Sequence, residues 1–326
     1  MFLLVTFLVI GNFSCTKKEN TPPAPVAPRI TSVEFESDLL FVNKNDFQIL
    51  TSEPADFAST DPLINISSTG LIKRITSAEV VSIDVIWKSS GAKTRFYALG
   101  ATETNFDPPY LTFHGASATD PYTAYKAGWQ TLRKLPVTQE TYAISLRHAD
   151  ADNGKDYTIT PADQGPANWW KSCDNTLARQ LNAKGIARAT ELGIIFKDLK
   201  LPISRVVSSE FCRSVKTAEL INAGPAIVTN GRINHPAYNK SGKGLFPGMI
   251  EIVKSFPVDN KMSLIIAHHP INELRNSVYP TFPNVSPYSW TGGYLIKIAP
   301  DKTITYQGAV SWGMFKYWRD LKLKRL

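Results

Sequence analysis

The sequence lacks the features that mark several large classes of protein. It has only three cysteines among 326 residues, and no spacing of cysteines and histidines that would bind zinc. It contains neither a phosphate-binding glycine loop nor an arginine-rich stripe interleaved with aromatic residues, so no nucleic-acid partner is expected. Its 43% apolar and 20% charged residues exclude a disordered or fibrous chain. The net charge of +8 suits an anionic ligand without identifying one.

The amino-terminal residues predict export. Residues 1–15, "MFLLVTFLVIGNFSC", form an apolar run that is shorter than the ~20 residues a membrane span needs. The run is typical of a secretion signal, and residues 16–28 are polar and then Pro-rich, as in an extended tether. This order resembles a bacterial lipoprotein signal. It implies a lipid on Cys15 and a cell-envelope protein held to a membrane, at the outer membrane or facing the periplasm. A plain cleaved signal peptide is the alternative.

Residues 29–105 predict a β-sandwich. Several short apolar segments are separated by turn signals such as Ser68-Thr69-Gly70, and the segment "VVSIDVIW" alternates in polarity with Val81 and Val85 on its apolar face. This patterning resembles the Ig-like domains of exported bacterial proteins, which implies a spacer and stabiliser. Residues 106–137 are interpreted as a connector between domains. They contain a helix that Asp120 caps.

Residues 138–326 alternate between strand and helix patterns, which predicts an α/β domain with a largely parallel sheet. The segments "YAISL", "ISRVV" and "MSLIIA" are predicted strands. A helix is expected after Asn182, and another begins with Ser208 or Ser209 as its cap. The apolar stripe predicted for the first of these helices consists of Ile186, Ala189, Gly193, Phe196 and Leu199.

Histidine and arginine side chains follow three of these predicted strands. Arg147 and His148 come directly after one strand, His268 follows another, and Arg213 lies in the first turn of a helix after a third. Because the carboxyl ends of parallel strands open into one crevice, we expect all four side chains to face it. Arginine binds phosphate through two parallel hydrogen bonds, and a neutral imidazole can attack phosphorus. The pattern therefore predicts a site for a tetrahedral dianion.

Four motifs in residues 142–298 carry a resemblance to the histidine phosphatases, also called the phosphoglycerate mutase-like superfamily. They are "ISLRHAD", "RQLNAKGIARATELG", "VVSSEFCRSVKTAEL" and "LIIAHHP". The resemblance implies a three-layer α/β domain that hydrolyses a phosphomonoester or phosphoramidate on a small molecule or protein. His148 would be the nucleophile, and Arg147, Arg213 and His268 would hold the phosphate oxygens. Neither a metal nor a cofactor is implied.

The general acid that such an enzyme uses is not evident in the sequence. Residues 220–250 contain no Asp and no Glu, although relatives often supply the acid from this region. Asp150, Asp152 or His235 could fill the role, or the acid could be absent, which would favour phosphohistidine or acyl phosphate substrates. His269 is either a second pocket residue or a loop residue.

Two functions from other classes stay open. The α/β domain could be a weak or inactive module that binds phosphate, or the protein could act at the cell surface through its Ig-like domain. Release of phosphate from an aryl phosphate would separate the enzyme from both.

Cys173 and Cys212 remain when Cys15 carries a lipid. An exported chain permits a disulfide bond between them, and two buried thiols are the alternative. Such a bond would tie the loop that passes over the expected pocket to the helix that carries Arg213.

Overall fold

The computed structural model describes residues 26–102, 121–135, 139–157, 166–234, 245–268 and 289–326. The predicted signal with Cys15, most of the tether, and the predicted site residues His235 and His269 lie outside these ranges, as does the expected cap Asp120. Within the described ranges, no helix combines the length and the apolar composition that crossing a bilayer requires.

Residues 26–102 form two β-sheets. One has the strand order β1-β2-β8-β7-β4 and the other the order β3-β6-β5, and both contribute to one apolar cluster. β2 and β8 pair in parallel, whereas the other pairs are antiparallel. The predicted alternation in β7 is confirmed, because Val81, Ile83, Val85 and Trp87 are buried. The strands are β1 (Phe35–Glu36), β2 (Leu39–Val42), β3 (Phe47–Gln48), β4 (Ala55–Ala58), β5 (Ile64–Ile66), β6 (Leu71–Ile75), β7 (Val80–Trp87) and β8 (Lys93–Gly100).

The helix α1 (Pro121–Leu132), expected within residues 106–137, packs into an apolar cluster. Its Trp129 is fully buried, stacks on Tyr317 with ring centroids 5.4 Å apart, and donates a hydrogen bond of 3.2 Å to Ser37 O. Gly128 allows α1 to lie directly on the sheet, because a Cβ there would come within 1.7 Å of Ala309 O. The five-stranded sheet and the α/β part therefore share one apolar cluster, which is separate from the cluster between the two amino-terminal sheets.

A six-stranded sheet with the order β11-β10-β12-β9-β13-β14 forms the centre of the α/β part. β11, β10, β12 and β9 run parallel, as predicted, while β13 and β14 add an antiparallel edge. β12 is buried at every position, which explains its continuous apolar sequence. The strands are β9 (Thr141–Arg147), β10 (Ile203–Ser208), β11 (Ile227–Thr229), β12 (Met262–Ala267), β13 (Gly293–Ile298) and β14 (Ile304–Val310). The helices are α2 (Ala183–Asp198), α3 (Cys212–Ile221), α4 (Leu245–Ser255) and α5 (Trp312–Lys322), with short 3-10 turns at Trp169–Lys171 and Gly231–Ile233.

The helix α2 begins as the sequence predicts, but its buried face is broader. The Asn182 side chain accepts a hydrogen bond of 2.8 Å from Gly185 N and caps the helix. Ile186 was expected in the apolar stripe and is instead 47% exposed, whereas Leu192 and Ile195 are fully buried. The face shifts because α2 packs against both α3 and α5, so two neighbours determine which side of the helix is covered.

Replacing Trp129 with Ala tests whether the two parts form one folding unit. We expect the free energy of unfolding to fall by ~3–5 kcal/mol, because a large buried ring is removed from the shared core. Urea unfolding followed by tryptophan fluorescence and by far-UV circular dichroism should still give coincident transitions. Ile194→Ala is the control, since Ile194 is 53% exposed on α2. Separate transitions for the sheets and the α/β part would contradict a shared core.

Candidate active site

The register of three parallel strands brings the predicted site residues to one edge. Arg147 lies opposite Ala267 in the β9–β12 pair, so His148 and His268 follow neighbouring strands at the same level. His148 N donates a hydrogen bond of 3.0 Å to Ala267 O, and Ser209 N donates one of 2.9 Å to Ile266 O. The chain therefore stays tied to the sheet for one residue beyond each strand. The two imidazole rings meet edge to face, with centroids 5.2 Å apart.

The hydrogen bonds of His148 select one tautomer of its ring. Nδ1 lies 2.9 Å from Ala149 O, which can only accept, so Nδ1 carries the proton. Nε2 accepts a hydrogen bond of 3.1 Å from Arg213 Nε, which can only donate. The lone pair of Nε2 therefore faces the arginine side of the pocket, which is the orientation a nucleophile needs.

The surroundings keep His148 neutral. The residue is only 2% exposed, and its burial together with the charges of Arg213 and Arg147 holds the pKa of its imidazole well below the usual value. A charged imidazole would have no lone pair on Nε2. The same positive charges that would attract an anion therefore also keep Nε2 unprotonated.

Three arginines converge on this ring, and sequence analysis identified only two. Burial and then the charges of Arg179 and Arg213 lower the pKa of Arg147 to about 9, and burial lowers the pKa of Arg213 to about 10 despite its pairing with Asp156. Arg179 precedes the capped start of α2, and its charge also lowers the pKa of His148. Like charges held this close destabilise one another, so an anion among them should bind strongly. The only sequence signal for Arg179 was its presence in the motif "RQLNAKG", which did not indicate a role.

Trp290 forms another wall of the site that the sequence did not reveal. The guanidinium carbon of Arg147 lies 3.6 Å from the centroid of the Trp290 ring, and the ring of His148 lies 5.1 Å from it. Arg147 N also donates a hydrogen bond of 2.8 Å to Gly292 O. Because β13 runs antiparallel to β9, the residues before β13 arrive at the edge where β9 ends. A stacked arginine has a restricted orientation, so Trp290 positions Arg147.

His268 is oriented by a polar network. Its Nε2 lies 2.9 Å from Ser209 Oγ, which in turn donates a hydrogen bond of 2.9 Å to Asn234 Oδ1. The expectation that Ser208 or Ser209 caps α3 is therefore wrong. The cap residue is Phe211, which provides no side-chain bond. The hydroxyl of Ser209 is used to hold His268.

The segment after His148 is tied to two helices. Ala149 N donates a hydrogen bond of 3.0 Å to Thr217 Oγ1 on α3. The start of α2 approaches so closely that a Cβ on Gly185 would lie 2.1 Å from Asp150 O. These contacts leave the main chain around His148 little freedom, as a positioned nucleophile requires.

Asp150 and Asp152, two candidates for the general acid, lie where the loop after His148 meets α2. Asp150 Oδ2 lies 3.5 Å from Arg188 Nη1, and Asp150 Oδ1 lies 3.8 Å from Lys184 Nζ. Asp152 is exposed and accepts a hydrogen bond of 2.7 Å from Asn182 Nδ2. Both carboxylates therefore serve the contact between the loop and the start of α2.

A third acid of this loop, Asp156, reaches the arginines instead. Its Oδ1 accepts hydrogen bonds of 2.8 Å from Arg213 Nη1 and 3.1 Å from Arg179 N, and its Oδ2 lies 3.8 Å from Arg179 Nη2. Sequence analysis did not consider Asp156, because nothing in the pattern "NGKDYT" distinguishes it from a solvated loop acid.

Cys173 and Cys212 form a disulfide bond, with their Cα atoms 5.3 Å apart. The bond joins the loop between β9 and α2 to the first residue of α3. Arg213 is the next residue along α3. The disulfide therefore restrains both the loop and the helix that supply the arginine contacts.

The donors at this edge suit an anion. Among the described residues, no three side chains of His, Cys, Asp or Glu cluster as metal ligands would. The convergent donors are guanidinium N–H groups, which match the oxygens of phosphate.

No protein-family model and no curated protein matches the chain. Similar solved structures include the protein histidine phosphatase SixA complexed with tungstate, which covers 52% of this chain and 97% of its own at 17% identity and a TM-score of 0.37. Phosphoserine phosphatase from Entamoeba histolytica in complex with 3-phosphoglyceric acid covers 54% of this chain and 99% of its own, at 11% identity and a TM-score of 0.33. Mycobacterial hydrolase 1 covers 52% of this chain and 97% of its own, at 15% identity and a TM-score of 0.34. Similarity at this level does not identify a function.

The low pKa of His148 predicts a pH-dependent stability. The unfolded chain binds a proton on this residue below about pH 6.5, whereas the folded protein does not. The stabilisation is therefore fully present above that pH and is lost as the pH falls. We expect the stability of wild type relative to His148→Asn to fall between pH 7 and pH 5, because only the unfolded wild-type chain gains a proton at this position. Urea titrations at both pH values measure it, and a pH-independent difference would show that His148 is not held neutral.

Proposed function

We propose that the protein is a phosphatase of the histidine phosphatase superfamily, which hydrolyses phosphomonoesters or phosphoramidates through a phosphohistidine on His148. The observation that carries this proposal is the hydrogen bond from Arg213 Nε to His148 Nε2. It couples an unprotonated ring nitrogen to a donor that can bind a phosphate oxygen. A nucleophile and a phosphate ligand thus occupy one site.

The other residues would act on the charge of the phosphoryl group. Arg147, Arg179 and Arg213 would bind the equatorial oxygens, whose negative charge is stabilised best where water is excluded. His268, whose Nε2–H faces Ser209 Oγ, would donate to the same group from its other ring nitrogen when it is in the imidazolium form. In the first step, the lone pair of His148 Nε2 forms a bond to phosphorus while the bond to the leaving group breaks. Water then attacks phosphorus, and the bond to Nε2 breaks.

His148→Ala should abolish the phosphoenzyme and turnover. Loss of one transition-state contact costs ~10²–10³ in rate, and loss of the nucleophile should cost more. The measurement is phosphate release from an aryl phosphate together with acid-labile, base-stable labelling of the protein. His114→Ala is the control, because His114 lies outside the four motifs in residues 142–298.

Three results would distinguish the alternatives. Unchanged activity in His148→Ala would exclude the mechanism. Tight phosphate binding by wild type without label or turnover would favour the inactive anion-binding module. Absence of both binding and turnover would favour a surface protein that acts through residues 29–105.

The location and the amino-terminal part are also proposals. Residues 1–15 would direct export, the lipid on Cys15 would anchor the protein in the cell envelope, and residues 29–105 would be an Ig-like domain that stabilises the α/β part. The integrated core supports the stabilising role, because Trp129 and Tyr317 pack against both parts.

Cys15→Ser should release the protein from membranes, because the thiol that carries the lipid is removed. Fractionation of cells and mass spectrometry of the mature amino terminus measure the effect. A wild-type mature chain that begins beyond Cys15 and carries no lipid would contradict the anchor.

A further inference from the structure

Asp156 places a carboxylate on the arginine that contacts the nucleophile. Arg213 donates from Nε to His148 Nε2 at 3.1 Å and from Nη1 to Asp156 Oδ1 at 2.8 Å. Asp156 is thus separated from the attacking nitrogen by a single guanidinium group. We propose that Asp156 is the general acid and base of the reaction, an inference that rests on the proposed function and supplies the proton donor missing from residues 220–250.

Asp156 holds donors for which a phosphate group would compete. Its oxygens use Arg213 Nη1 and the main-chain N–H of Arg179, and they lie near the Arg179 guanidinium. A phosphate group needs the same donors and offers more oxygens and more charge. Phosphate would therefore displace Asp156 from Arg213, and the carboxylate would remain beside the bound group.

Displacement changes the charge around Asp156. In the structure the carboxylate acts as an acceptor, with Arg213 Nη1 and Arg179 N as its donors. Once a phosphate dianion takes those donors, two negative groups lie side by side, and their repulsion favours proton uptake by one of them. The side chain of Asp156 is 16% exposed, so a proton can reach it from solvent. Substrate binding itself would thus convert Asp156 into the acid that the leaving group requires.

The other described carboxylates near the site are committed elsewhere. Asp150 pairs with Arg188 and Lys184. Glu210 accepts a hydrogen bond of 2.9 Å from Asn234 Nδ2 and pairs with Lys171 at 3.1 Å, so it belongs to the network behind His268. Asp156 is the carboxylate that shares a guanidinium with His148.

Asp156 donates a proton in the first step and recovers one in the second. In the first step, Nε2 of His148 bonds to phosphorus, the bond from phosphorus to the leaving oxygen breaks, and that oxygen takes the Asp156 proton. The products are an alcohol, phosphohistidine and an ionised carboxylate. In the second step, the carboxylate removes a proton from the attacking water as the phosphorus–nitrogen bond breaks. The electron pair of the phosphorus–nitrogen bond returns to Nε2, inorganic phosphate forms, and Asp156 is again protonated.

The first experiment compares phosphate esters whose leaving groups range from nitrophenol to simple alcohols. An alkoxide leaves badly without a proton, whereas nitrophenolate leaves with little help. We expect Asp156→Asn to lower kcat/KM for alkyl phosphates by ~10²–10⁴ and for 4-nitrophenyl phosphate by much less. Asp174→Asn is the matched control: it makes the same change of charge at an exposed position of the same loop, and its profile should equal that of wild type.

A second measurement does not depend on the variant being folded. Tungstate is a tetrahedral oxyanion that stays dianionic at pH 7, so calorimetric titrations in buffers of different ionisation enthalpy report the protons that the protein takes up. Linkage predicts uptake of about one proton by wild type and less by a folded Asp156→Asn protein. Binding to wild type without proton uptake would overturn the inference.

The kinetic outcomes separate this inference from the proposed function. An active wild type whose dependence on the leaving group is unchanged by Asp156→Asn would overturn the role of Asp156 alone. An equal loss for all esters would show that Asp156 only shapes the pocket, and an equal gain would show that it only competes with phosphate. A wild type that hydrolyses none of the esters would overturn the proposed function and this inference with it.

Discussion

The contact between Arg213 and His148 is the interaction on which the site depends. It fixes the tautomer of the imidazole, adds to burial in lowering its pKa, and holds a guanidinium group beside Nε2. Two packing relations maintain it. The pairing of β9 with β12 sets the level of His148, and Thr217 ties the next residue, Ala149, to the helix that carries Arg213. The disulfide at Cys212 adds a covalent restraint next to the arginine.

The guanidinium groups of the cluster repel one another, and a bound anion would reduce that repulsion. Burial and mutual repulsion lower the pKa of Arg147 to about 9, and stacking on Trp290 keeps this arginine in the cluster. In the structure, Asp156 provides part of the missing negative charge. A site built this way favours a dianion over a neutral ligand, since only charge offsets the repulsion.

The amino-terminal sheets support this site from a distance. Glu79 pairs with Arg188 on α2, and Arg188 also contacts Asp150 in the loop after His148. Desolvation raises the pKa of Glu79 despite that pairing, as expected for a carboxylate at a covered interface. The two parts therefore meet through charged contacts as well as through the apolar cluster around Trp129. The loop after His148, at the candidate site, is linked to the charged contacts through Asp150.

The local sequence was sufficient for the strands, for the start of α2 and for the meeting of His148, Arg213 and His268. Apolar strands followed by polar residues are a local signal, and parallel strands end at one edge whatever else surrounds them. Arg179, Trp290 and Asp156 could be placed only by the tertiary structure. They reach the pocket through loops and through an antiparallel strand, so their positions depend on long-range pairing that no local pattern encodes. The burial of Trp129 and the exposure of Ile186 were decided in the same way, by which neighbour covers each helix face.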